Sequence, residues 1–153
     1  MPEVVVVDAS LATMWAIPEP FSARSLELAE EWAGNATGLL APCLLISEVT
    51  NAVYKRVVRR ELTLVEAQHA LDIVLGFSIE IREEPGLAHR AMEWASRLRQ
   101  PAAYDMQYLA LAELNRCECW TGDQRFFRAA RVTAPWVRWV GEPTDVTRRG
   151  GSS

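Results

Sequence analysis

Histidine is nearly absent from this chain: His69 and His89 are the only two among 153 residues. Neither lies near an acidic motif, which argues against acid–base catalysis by paired imidazoles. Cysteine is equally sparse. Cys43, Cys117 and Cys119 are an odd number, which fits reduced, buried thiols better than a disulfide framework. With so few histidines and no metal-ligand spacing, no structural zinc site is expected. No apolar run approaches the ~20 residues of a membrane helix. The opening run Val4–Val7 is too short for a signal-peptide core and follows no basic region. The expected location is therefore the cytoplasm, with no membrane partner. Basic residues are not in excess: 16 Lys and Arg against 20 Asp and Glu give a net charge of −4. That argues against a generic nucleic-acid coat, but not against a nucleic-acid enzyme whose acids are neutralised by a metal. A glycine-rich phosphate loop is missing too, so nucleotide hydrolysis has no support.

What is present is ordinary in amount and unusual in arrangement. Half the residues are hydrophobic and 24% are charged, and the length suits one domain with a sizeable core. We expect that domain over residues 1–142, followed by a disordered tail over 143–153, where polar, basic and glycine residues collect. The organising stretch is Glu3–Ser10, in which four valines run straight into Asp8. Unbroken β-branched residues read as a strand buried on both faces, as in parallel sheets covered by helices.

Strand and helix patterns then alternate to the end. Pro18 and Pro20 interrupt helical spacing over Leu11–Trp15 and Phe21–Trp32. Leu39–Ala41 reads as a strand, and Leu44–Arg60 as a long helix with Leu45, Val49, Val53 and Val57 on its apolar stripe. Thr63 and Glu66 have capping-box spacing for a helix over Leu64–Leu75. Strands are predicted at Ser78–Arg82, Cys117–Trp120 and Trp136–Val140, with helices at Gly86–Leu98, Tyr104–Asn115 and Gln124–Ala130. The fold class is α/β: a three-layer α/β/α sandwich on a mostly parallel central sheet.

Four acids stand out in that layout. Asp8 and Asp123 follow strands, at the carboxyl edge where open α/β sheets bind ligands. Glu48 and Asp105 sit near the starts of helices, at the same edge. Taken singly, Asp8, Asp105 and Asp123 are also good helix N-caps. Taken together, they would repel by about 4 kcal/mol per close pair at an effective dielectric of ~20, so a cluster needs a cation. Oxygen donors alone select Mg²⁺, with Mn²⁺ as substitute. Carboxylate-held magnesium completes its shell with water and phosphate, which points to phosphodiester chemistry.

The segments Val-Asp-Ala-Ser at 7–10, Ser-Glu-Val-Thr-Asn-Ala at 47–52, Ala-Tyr-Asp-Met-Gln-Tyr-Leu-Ala-Leu-Ala at 103–112 and Trp-Thr-Gly-Asp-Gln-Arg-Phe at 120–126 together resemble the four motifs of PIN domains. The likeness is strongest to the VapC-type toxin ribonucleases of toxin–antitoxin pairs. It runs from residue 3 to about residue 140. The resemblance implies a Mg²⁺-dependent endoribonuclease acting on single-stranded RNA, with Asp8 and Asp105 as main metal ligands and Asp123 contributing. Glu48 would bind the metal or orient its water, and Ser10 and Thr121 match small hydroxyl positions that hold a carboxylate or water. It also implies a VapB-type antitoxin and a homodimer.

Outside the motifs, Lys55 and Arg59 lie within ~20° of Glu48 around their helix. They make a basic track for an RNA backbone, widened by Arg56 and Arg60, or else a solvated face. Arg125, Arg128 and Arg131 could serve similarly. Trp94 reads as core, whereas Trp15 and Trp32 suit either the core or a groove for bases. The alternative function is a non-cleaving PIN-like module that grips RNA or protein. A haloacid-type phosphatase would need Asp-x-Asp where this chain has Asp8-Ala-Ser, and a receiver domain would need a second acid beside Asp8.

Overall fold

In a computed structural model that describes residues 3–143, a five-stranded parallel sheet has the order β3-β2-β1-β4-β5. Its strands are β1 (Val4–Val7), β2 (Gly38–Ala41), β3 (Glu80–Ile81), β4 (Glu118–Thr121) and β5 (Val137–Trp139). The helices among the described residues are α1 (Ala9–Thr13), α2 (Ser22–Gly34), α3 (Leu44–Val58), α4 (Leu64–Leu75), α5 (Leu87–Arg97), α6 (Met106–Leu114) and α7 (Gln124–Ala130). Every strand pair is parallel, so the expected α/β/α sandwich is built on a wholly rather than mostly parallel sheet. The disordered tail expected over 143–153 falls, from residue 144 onward, outside the described residues.

The valine run earns its central place by having no polar face. Val5, Val6 and Val7 are buried, paired with β2 on one side and β4 on the other. Because β1 is the hinge of the strand order, its carboxyl end is flanked by the chain that leaves β4, and α3 leaves the neighbouring β2. The ladder persists one residue past the strand, where the Asp8 amide donates to the Trp120 carbonyl at 3.1 Å.

Local signals explain most boundaries. The predicted capping box forms reciprocally between Thr63 and Glu66, both bonds at 3.1 Å. The long helix stops at Val58 rather than Arg60, because Arg60 turns left-handed at φ 61°. β3 shrinks to two residues: it is an edge strand with only β2 beside it. Trp94 is core as expected. Trp15 and Trp32 also go inside, 5% and 9% exposed. Trp15 stacks on Phe77 with ring centroids 4.4 Å apart, and Trp32 meets Trp120 edge-on at 6.0 Å. Of the three free thiols only Cys119 is buried; Cys117 is half-buried and Cys43, in the turn entering α3, is exposed.

Candidate active site

The first strand delivers Asp8 to the carboxyl edge and then turns sharply into α1, so the carboxylate both caps that helix and faces inward. It is 4% exposed. Its Oδ1 accepts from Ser10 Oγ at 2.7 Å and from the Leu11 amide at 2.9 Å, and its Oδ2 from Thr121 Oγ1 at 2.5 Å. Both hydroxyls singled out in the sequence therefore donate to the same acid, one from the first turn of α1 and one from the end of β4. The hydroxyls are in turn acceptors: Ser10 Oγ takes the Gly122 amide and Thr121 Oγ1 takes the Asp123 amide, each at 2.9 Å. The 3.3 Å contact between the two hydroxyls has no proton left to share, since each hydroxyl carries one and both are spent on Asp8.

This stitching depends on a bare backbone at position 122. A Cβ there would come within 2.6 Å of Met14 Cε and 3.1 Å of the Ser10 carbonyl group. A larger residue would have to displace the Met14 side chain and push the turn after β4 away from the start of α1.

Asp123 leaves the same turn and caps α7, its Oδ1 accepting from the Arg125 amide at 2.9 Å and the Phe126 amide at 3.3 Å. Asp105 departs from the capping expectation. It precedes α6 with helical dihedrals, φ −65° and ψ −26°, and its side chain makes no capping bond. A cap needs extended backbone to swing the carboxylate over the helix end; here the carboxylate is left pointing elsewhere. Glu48, half-buried on α3, accepts at Oε1 from the Tyr108 hydroxyl at 2.5 Å.

These four acids line one cleft of about 580 Å³, whose walls also include Lys55, Arg56, Arg59 and Tyr108. Their fields overlap. The Asp8 carboxyl is pushed from 3.8 up to about 6, chiefly because burial disfavours its charged form; its hydrogen bonds pull the other way, and Asp105 adds to the rise. Asp105, although it stands exposed at the cleft, is also pushed up to about 6, first by desolvation and then by the charges of Glu48 and Asp123. The Tyr108 hydroxyl is driven far above its ordinary range by burial and by Glu48.

The donor set suits a hard divalent cation. No histidine or cysteine lines the cleft, and the available ligands are carboxylate oxygens with unrelieved negative charge. The oxygens are not equally available. Of the roughly four lone-pair positions of a carboxylate, protein donors occupy three on Asp8. Among the described residues, Asp123 and Glu48 each keep one oxygen without a protein partner, and Asp105 keeps both. Asp105 alone is thus free to bind in two-pronged fashion. Among the described residues, no three His, Cys, Asp or Glu side chains form a ready-made metal cage. Magnesium needs no such cage, because it retains several waters.

The basic track is only partly as the sequence suggested. Lys55 and Arg59 line the cleft, and their side chains form no ion pair or hydrogen bond among the described residues. Arg56 is different: one nitrogen binds Glu19 and another Glu61, both at 2.8 Å. It is a strut between α3, its exit and the loop after α1, with its charge already matched. Arg60 has left the helix, and Arg125, Arg128 and Arg131 lie outside the cleft lining. Tyr108 was missed. The available signal was its spacing three residues after Asp105, which puts both on one face of α6, and the need of a buried tyrosine hydroxyl for a partner.

Comparison with curated proteins finds no match. Among solved structures, the chain is similar to PAE2754 from Pyrobaculum aerophilum, with a TM-score of 0.66, 22% sequence identity and 92% of each chain covered; at that identity the likeness speaks to the fold. The sequence model of the PIN domain matches residues 7–137, from the last residue of β1 to the first of β5, and so spans every element that feeds the cleft. The chain belongs to the PIN domain family, whose members are generally metal-dependent nucleases.

Proposed function

We propose that the protein is a Mg²⁺-dependent endoribonuclease that hydrolyses phosphodiester bonds of single-stranded RNA, with Mn²⁺ able to substitute. The observation that carries this reading is one cleft lined by four carboxylates, none of them in an ion pair among the described residues, with the side chains of Lys55 and Arg59, also outside those ion pairs, along the same wall. Asp105 and Asp8, helped by Asp123, would hold the metal. When bound, it lowers the pKa of water and stabilises charge on the phosphate. Glu48 Oε2, free of protein donors, serves to accept a proton from the attacking water. Lys55, in the last turn of α3, and Arg59, which caps its end, lie about one helical turn apart; they hold successive phosphates of a strand and keep the scissile bond over the acids.

The likeness of all four motifs to VapC-type toxins supports a narrower role: toxin of a toxin–antitoxin pair in the cytoplasm, acting as a homodimer and silenced by a VapB-type antitoxin. Among the described residues no helix is long and apolar enough to cross a membrane.

The test is cleavage of a mixed single-stranded RNA pool by the purified protein with Mg²⁺, with Mn²⁺ and with EDTA, beside Asp105→Asn. Metal-dependent cutting that the variant loses is the expected result. Folded protein that binds the metal and leaves every RNA intact would instead identify a non-cleaving RNA- or protein-binding PIN module.

A further inference from the structure

Tyr108 is one of the largest fully buried side chains in the molecule, 1% exposed, yet its hydroxyl is not spent on the backbone of its own layer. It reaches across from α6 to α3 and donates to Glu48 Oε1 at 2.5 Å. The two residues are 60 positions apart in the chain, and α3 and α6 meet the sheet from different crossovers. The Glu48 side chain makes no other hydrogen bond among the described residues. Its carbon stem is long and half-exposed, so without Tyr108 the carboxylate would be free to sample several rotamers at the cleft wall.

We propose that Tyr108 is a positioning residue for metal-dependent cleavage: by holding Oε1 of Glu48 it fixes the direction in which Oε2 faces the cleft. This rests on the nuclease reading above. Three observations support the assignment over a tyrosine that merely fills the core. The ring is locked by burial, so its hydroxyl is a fixed point rather than a wandering donor. The bond is short and charge-assisted, the class of hydrogen bond strong enough to select one rotamer. Tyr108 also lies one turn beyond Asp105 on α6, so one helix places a carboxylate for the metal and a hydroxyl for the neighbouring acid. Groups that orient a ligand from behind it commonly change metal affinity or activity by about 10- to 100-fold when removed.

Tyr108→Phe keeps the ring and deletes only the hydroxyl. The experiment is a double-mutant cycle with Glu48→Gln, read by calorimetric titration of the purified proteins with Mn²⁺ and by kcat and KM for RNA cleavage. Tyr108→Phe is expected to weaken Mn²⁺ binding and lower kcat by about 10-fold or more, with KM nearly unchanged. In the Glu48→Gln background the same substitution should do nothing further, because the residue it positions is already disabled. Glu48→Asp, whose shorter stem draws the carboxylate back from the hydroxyl, should resemble Tyr108→Phe. Wild-type Mn²⁺ affinity in Tyr108→Phe, or losses that multiply in the double variant, would overturn the proposal and leave Tyr108 a core residue. Wild-type protein that binds Mn²⁺ in this Tyr108-dependent way without cutting RNA would retire the nuclease reading while keeping the positioning role. Wild-type protein that binds no Mn²⁺ would end both.

Discussion

Two acids on the same helix have opposite surroundings. Glu113, near the end of α6, is gripped by Arg90 through two bonds of 2.6 and 2.9 Å and by the Trp94 indole at 3.1 Å. Its carboxyl is held below the usual range, first by the Arg90 bonds. Asp105, immediately before α6, has no donor and faces two other acids, and its carboxyl is pushed up to about 6. None of the ion pairs formed among the described residues includes Asp8, Glu48, Asp105 or Asp123. Glu19, Glu61, Glu113 and Glu118 each meet an arginine elsewhere in the fold; at this edge no acid does. A charge left unanswered beside others of its sign is a cost the fold bears only where something outside the chain will offset it.

That contrast makes opposite predictions for similar substitutions. The largest effect is on activity: Asp105→Asn should reduce RNA cleavage by at least about 100-fold, measured as initial rate in Mg²⁺. The same variant, without metal, should melt at a higher temperature than the parent, since it deletes an uncompensated charge.

The next effect is on pH dependence. Asp8 and Asp105 titrate near 6 when folded against 3.8 ordinarily, so between about pH 4 and pH 6 the folded chain binds the extra protons. These two groups therefore make the metal-free protein lose stability as pH rises through that window. Urea midpoints at pH 5 and pH 7.5 should reveal the trend. Saturating Mg²⁺, which takes the place of the protons, should flatten it, and Asp105→Asn should weaken it; a slope unchanged in the variant would contradict the shared field of the acids.

RNA affinity comes third. Replacing both Lys55 and Arg59 with Ala removes two phosphate contacts and should lower the salt-dependence slope of RNA binding by about 1.4, read from filter or anisotropy titrations. Arg56→Ala should leave that slope nearly intact while costing stability, because its charge is already answered by Glu19 and Glu61. The smallest effect is Glu113→Gln, a loss of about 1 kcal/mol by denaturant unfolding, with cleavage unaffected: the sign opposite to metal-free Asp105→Asn.

How much of this was legible beforehand follows from how local each cause is. Asp8 stood out because four valines leave the strand before it no polar face, and Asp123 because it follows the strand pattern at Cys117–Trp120. The capping box of Thr63 and Glu66 needs only three residues of context, and it formed as written. Arg56 could not be read correctly, since what neutralises it comes from a loop 37 residues earlier and from the helix exit. Helical periodicity places a residue on a face but says nothing of who stands opposite. For Asp105 the sequence left both a cap and a metal ligand open, because residue type alone does not give the helical backbone that keeps its side chain from capping α6. The glutamate–tyrosine bond joins α3 to α6, and no pattern within either helix announces it.

The strand order also sets a sequence of events during synthesis. The first strand made is the one that ends in the middle, with Val7 beside Trp120 and Asp8 bonded to a hydroxyl 113 residues downstream. A growing chain therefore carries its opening aspartate as an unfinished half-site, its central strand lacking one neighbour, until nearly the whole domain has been translated. The cleft is complete only when its last-made wall arrives, because the hydroxyl of Thr121 and the carboxylate of Asp123 both come from that late segment.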